Sequence, residues 1–171
     1  MKNKRTGNLV SAAMLAALIT VATTFVRIPT GINSGYIHLG DAIIFLAAML
    51  LPLPYAMCAA AIGGSLADLL AGAAIWAPAT FAIKALNVLP FYLLGAKKNG
   101  RLMNRGSAAS AGMSAIITLG GYFVAEMLLY NTQSAVISLP FNAIQGVGSA
   151  VAFCAAAYAL DCAGAARLIR K

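Results

Sequence analysis

Ten of the twelve basic residues in this chain sit in three short clusters, and long apolar segments run between them. The clusters are Lys2, Lys4 and Arg5; Lys97, Lys98, Arg101 and Arg105; and Arg167, Arg170 and Lys171. A helix needs about 20 apolar residues to cross the hydrocarbon core of a bilayer. Residues 9–26, 40–51, 55–71, 79–94, 108–130 and 140–160 are the apolar candidates, separated by proline, glycine and polar residues. Six crossings put all three clusters on one face, whereas five would split them. Lysine and arginine collect on the cytoplasmic side. The spacing therefore predicts an all-α, polytopic membrane protein: six transmembrane helices in one bundle, with both termini cytoplasmic.

Composition agrees. The 171 residues are 61% apolar and 9% charged, too little polar surface to cover a soluble domain. One transmembrane domain spanning residues 1–171 is expected. The net charge of +8 follows from the clusters, which have no aromatic interleaving, so topology explains it better than nucleic-acid binding. Lys2 to Arg5 followed by an apolar run has the outline of a signal peptide. The run is long for one, and losing it would spoil the charge parity, so a retained first helix is expected. Cys58, Cys154 and Cys162 show no metal-ligand or paired spacing. The second segment, about 12 residues, is short for a crossing and fits a partial span or half of a re-entrant hairpin equally well.

Within these apolar runs the ionisable residues are few. Such groups cost several kcal/mol in hydrocarbon unless paired or wetted, which marks them as functional candidates. Residues 35–87 hold Asp41, Asp68 and Lys84, together with the only histidine, His38, and the only tryptophan, Trp76. On the predicted topology Asp41, Asp68, Lys84, Asn87, Glu126, Asn142 and Gln145 all fall in the outer or middle part of the membrane. That distribution predicts a polar pocket open to the outside, with the inner half almost wholly apolar. Asp68 and Lys84 come at similar depths on adjacent helices, so they fit either a structural ion pair or a ligand-orienting site. Glu126, Asn142 and Gln145 supply donors and acceptors suited to a small polar heterocycle, or to helix–helix hydrogen bonds. Trp76 and Tyr122 are candidates to stack on a planar ligand. His38 fits a loop histidine or a pH switch.

Small residues recur at four-residue spacing, as Ala12 with Ala16 and Ala13 with Ala17 in the first helix. Such stripes let helices approach closely in lipid, within the bundle or against a partner. No P-loop, no zinc-protease motif and no nucleophile–histidine pairing occurs, so no enzymatic activity, cofactor or metal is expected.

Tyr36-Ile-His-Leu-Gly-Asp41-Ala, Ile62-Gly-Gly-Ser-Leu-Ala-Asp68-Leu-Leu, Ile75-Trp-Ala-Pro78-Ala-Thr and Ile83-Lys84, with the helix 1 alanine stripes, carry a resemblance. The chain resembles the substrate-binding S component of energy-coupling factor (ECF) vitamin transporters, in the riboflavin-type group. Members often carry glycine after the lysine, where this chain has Ala85. The resemblance implies a six-helix bundle in a prokaryotic cell membrane that captures a vitamin or precursor from outside. Pyridoxine or hydroxymethylpyrimidine is the favoured ligand, riboflavin a further one, with Tyr36 and the outer loop joining the pocket. It implies a transmembrane coupling subunit and two ATPases as partners, docked at Ala12, Ala13, Ala16 and Ala17, with delivery by toppling of the whole S component. A self-contained proton-coupled carrier and a non-transporting structural subunit are the competing readings.

Overall fold

The computed structural model describes residues 2–31, 36–94, 96 and 101–164. Lys97, Lys98, Arg167, Arg170 and Lys171, on which much of the charge count rests, lie outside the described residues. The elements are α1 (Lys2–Phe25), β1 (Arg27–Pro29), β2 (Tyr36–His38), α2 (Gly40–Leu50), α3 (Leu53–Leu70), a 3-10 turn (Ala74–Trp76), α4 (Ala77–Leu86), α5 (Leu89–Leu93), α6 (Arg105–Leu129) and α7 (Thr132–Cys162). Five segments are long and apolar enough to cross a membrane: Lys4–Phe25, Leu53–Leu70, Ala74–Leu93, Arg105–Leu129 and Thr132–Cys162. With 11 residues, α2 reaches only about 16 Å.

Its shortness goes with its position. α2 is apolar on all sides, the pattern of a helix enclosed by others, and it packs against α1, α3, α5 and α7. Around it lies the core. Phe45 from α2, Phe91 from α5 and Phe153 from α7 form a triangle with ring centroids 5.4 to 5.8 Å apart. All three rings are fully buried. Two of the contacts are edge-to-face, the arrangement that the ring quadrupole favours.

Close helix approach depends on glycine at two positions. A Cβ on Gly63 would lie 2.7 Å from the Ala16 carbonyl oxygen, so only glycine lets α3 meet α1 there. Thr20 Oγ1 then donates to the Gly63 carbonyl at 3.0 Å. A Cβ on Gly64 would come within 2.9 Å of Lys84 Cγ, so the next glycine makes room for α4. The alanine stripes of α1 divide accordingly. Ala12 is buried and Ala16 packs beside it against the core, whereas Ala13 and Ala17 are exposed.

Three element boundaries differ from the sequence reading. A two-stranded antiparallel hairpin, with Arg27 opposite His38 and Pro29 opposite Tyr36, occupies what reads as a plain turn region. The apolar segment 79–94 starts earlier, at Ala77, and breaks after Leu86. Pro90 has no N–H to continue the ladder. The carbonyls at the break are taken up by α6: Ser114 Oγ donates to Asn87 O at 2.7 Å, and Ser110 Oγ to Pro90 O at 3.0 Å. Finally α7 begins at Thr132 and carries Pro140 inside it. Asn131 caps it by accepting from Ser134 N at 2.8 Å, so the residues after the cap already fold as helix.

At the opposite end from the hairpin, Asn104 and Ser107 form a capping box at the start of α6. Asp161 accepts from the backbone N–H groups of Leu102 and Met103 at 3.0 and 2.8 Å, fastening the connection before α6 to the end of α7.

Candidate functional site

The hairpin end of the bundle holds a cavity of about 520 Å³ of non-atom space, walled by α3, α4, α6 and α7 and covered by β2. Tyr36, His38, Asp68, Trp76, Lys84, Tyr122, Glu126, Asn142 and Gln145 line it. Asp41 and Asn87, which the sequence grouped with them, stand behind the wall rather than on it.

Asp41 opens α2, the enclosed helix, and faces α4. Lys84 Nζ lies 2.7 Å from Asp41 Oδ1 and 2.9 Å from Oδ2, with both side chains about 1% exposed. The ion pair that forms is therefore Asp41–Lys84, in place of the Asp68–Lys84 pair suggested by equal depth on α3 and α4. Depth along neighbouring helices gives no sign of a carboxylate that reaches Lys84 from a third helix. Gln145 Nε2 donates to Asp41 Oδ2 at 3.2 Å and to Ser149 Oγ at 3.1 Å, while its Oε1 accepts from His38 N at 2.6 Å. One glutamine thus ties α7 to α2 and to the hairpin. Lys84 Nζ also lies 5.0 Å from the centre of the Tyr122 ring, within cation–π range.

Asp68 is bound differently. Its Oδ1 accepts from Tyr36 OH at 2.5 Å, across from α3 to β2, and Oδ2 has no hydrogen-bond partner. Burial raises the Tyr36 phenol above its ordinary range, so it stays protonated and donates. Glu126, from α6, lies beside Ser138 and Asn142 of α7, and its Oε2 is likewise unpartnered. Asn142 Nδ2 is a third buried atom in this wall without a partner. Asn87 lies a turn below Lys84, where Nδ2 donates to Thr118 Oγ1 at 2.8 Å. The aromatic side is built from Trp76, whose ring stands edge-on to Tyr122 and tilted against Tyr130, each about 5.9 Å away.

Three lining residues escaped the sequence reading: Thr23, Gly64 and Thr80. Two had a signal. Gly64 is four residues before Asp68, and Thr80 four before Lys84, so each shares a helix face with a singled-out charge. Thr80 Oγ1 sits 3.1 Å from Tyr122 OH. Thr23 had none beyond its place in the last turns of α1.

His38 is buried among these groups. Its Nδ1 accepts from Gly40 N at 3.1 Å, which places the ring proton on Nε2. Burial lowers its pKa from 6.5 to about 4, against the pull of the Asp41 carboxylate. The unfolded chain therefore binds the extra proton between about pH 6.5 and pH 4, and the stability that neutral His38 carries at pH 7 is lost as the pH falls through that window. Two and a half units correspond to roughly 3 kcal/mol. Thermal unfolding at about pH 7.5 and about pH 5 should show a larger acid loss for the natural chain than for His38→Gln; equal losses would contradict this. Among the described residues no group of histidine, cysteine, aspartate or glutamate is arranged to hold a metal ion.

A bundle with five apolar helices of membrane-crossing length, and a polar cavity at one end, has the architecture of a membrane-embedded protein. More narrowly, the chain belongs to the S component family of ECF-type riboflavin transporters, whose family model matches residues 3–161. That is a family of transporter subunits and not of enzymes. The chain is also 28% identical over 135 residues to a Pyrococcus woesei protein described as an uncharacterized protein in a gap 3' region; the match covers 78% of this chain and 87% of that one.

Proposed function

We propose that this chain is the vitamin-binding subunit of an ECF importer, acting as one transmembrane domain in a prokaryotic cell membrane. The observation that carries the reading is the polar cavity at the hairpin end, with unpartnered atoms of Asp68, Glu126 and Asn142 in its wall. On this reading the hairpin faces outside, α2 completes a sixth crossing with the chain flanking it, and both termini are cytoplasmic. A transmembrane coupling subunit and two ATPases supply the energy, and the whole chain topples to deliver its ligand. The exposed Ala13 and Ala17 are the part of the α1 stripes free to meet the coupling subunit, because Ala12 and Ala16 are taken up by the core of the bundle.

A small polar ring of the pyridoxine or hydroxymethylpyrimidine type suits the lining. Riboflavin asks for more flat apolar surface than Trp76, Tyr36 and Tyr122 offer. The competing proton-coupled carrier needs titratable groups at more than one depth. Below the cavity, α6 does present buried Ser107, Ser110, Ser114 and Thr118. However, Ser110 and Ser114 are committed to backbone carbonyls of the α4–α5 break, and Ser107 to the cap. Asp161, the acidic residue at that end, holds the 102–103 backbone. These contacts favour a binding subunit over a self-sufficient carrier.

Mass spectrometry of small molecules carried through purification in detergent, followed by titration, tests the reading. A stoichiometric vitamin-like compound is expected. A chain that carries nothing and binds no B vitamin would overturn it.

A further inference from the structure

The cavity wall holds more carboxyl groups than basic groups. Lys84 is the basic residue of the lining, and its ammonium already contacts both oxygens of Asp41, so that pair is neutral as a unit. Asp68 and Glu126, 5% and 4% exposed, remain without a cation. Asp68 faces the Tyr36 hydroxyl from β2, the Thr80 hydroxyl from α4 and the Lys84–Asp41 pair from α4 and α2. Glu126 faces Ser138 and Asn142 from α7. The next basic group, Arg27, lies outside the lining, over the Tyr36 ring at 5.6 Å, and donates to the Ala71 carbonyl at 3.3 Å. One oxygen of each carboxylate has no donor. Two carboxylates held out of water, each with an oxygen that lacks a donor, are costly, and a positive group placed between them offsets that cost. Trp76, Tyr36 and Tyr122 also belong to the lining, and aromatic rings attract cations rather than anions.

Resting on the vitamin-binding reading above, we infer that the cavity takes its ligand as a cation. The ligand class is a nitrogen-containing ring compound with a protonated amine or ring nitrogen and at least two N–H or O–H donors. Asp68 and Glu126 receive the donors from the α3 and α6 walls, and the Asn142 amide meets an acceptor on the ligand. Phosphorylated or carboxylated forms are excluded, since each adds negative charge where Lys84 is already committed.

The test is calorimetric titration of the ligand-free full chain in detergent with five probes. Pyridoxamine and thiamine are cations, pyridoxine and riboflavin are neutral, and pyridoxamine phosphate carries the anionic group. Pyridoxamine and pyridoxine differ only in an aminomethyl against a hydroxymethyl group. At least one cation should bind, with pyridoxamine or thiamine about tenfold or more tighter than either neutral compound, and the phosphate ester should not bind. Glu126→Gln keeps the side-chain shape and should weaken the cation by about tenfold to a hundredfold, the scale of a charged hydrogen bond. Asp68→Asn should act in the same direction, and unfolding of each variant without ligand checks that it is folded. If Asp68→Asn does not fold, Glu126→Gln and the selectivity of the natural chain decide the matter. Tighter binding of a neutral compound, binding of the phosphate ester, or binding of no probe overturns the cation inference. Riboflavin binding unaffected by Glu126→Gln would overturn it while leaving the importer function standing; loss of ATP-driven vitamin uptake would remove that function itself.

Discussion

Lys84→Met is expected to destabilise the protein by roughly 3–5 kcal/mol, the cost of leaving one member of a buried pair uncompensated. The variant strands the Asp41 carboxylate at the start of the enclosed helix α2, with only Gln145 still donating to it. The loss is therefore borne by the central helix and the elements packed around it. Asp41→Asn combined with Lys84→Met should be less harmful than Lys84→Met alone, because it removes both charges together. Denaturation of the solubilised single and double variants checks this. If the double variant lost as much as the two single variants summed, the two side chains would not act as a pair. If Asp68→Asn, instead of Asp41→Asn, rescued Lys84→Met, the lysine's partner would be the one that depth on the helices suggested.

Phe153→Ala is expected to cost about 3–5 kcal/mol, in the range for deleting a fully buried ring. The ring meets Phe45 at 5.8 Å and Phe91 at 5.4 Å, both edge-to-face, so its removal opens a void where α2, α5 and α7 join. The surrounding helices are held by other contacts and relax only in part, which leaves a cavity and not a collapsed wall. Because the triangle lies among the core residues and outside the cavity lining, ligand affinity measured below the unfolding temperature should hardly change. A variant of unchanged stability would mean that α2 is not packed at the centre. A variant with normal stability and lost binding would place the ring in the site.

Hydropathy and turn residues were enough to read the helical class and most of the long helices, since apolar runs bounded by proline and glycine have few other outcomes in a bilayer. Residues of the cavity were also legible, because ionisable and amide side chains inside such runs stand out. What stayed hidden was lateral. Nothing local says that α2 is enclosed, so the sequence groups Asp41 with the lining and gives no sign of its pairing with Lys84. The hairpin rests on three residue pairs whose strands are too short to show a period of two. The break at Asn87 was invisible because Ser110 and Ser114, which satisfy its carbonyls, belong to a helix some 25 residues on, within a run that reads only as apolar. The two alanine stripes of α1 look alike in sequence and were assigned together. Burial separates them in space: Gly63 draws α3 onto Ala16 and Ile19, and Ala12 is buried, whereas Ala13 and Ala17 stay exposed.

The central claim is that this chain binds a vitamin by itself and moves it only in company. The direct measurement is uptake of the co-purifying compound, radiolabelled, into vesicles holding the chain alone or with a coupling subunit and its two ATPases. Binding without uptake by the chain alone, and uptake dependent on ATP when the partners are present, is the predicted result. Accumulation by the chain alone under a proton gradient would contradict it and establish the carrier in its place.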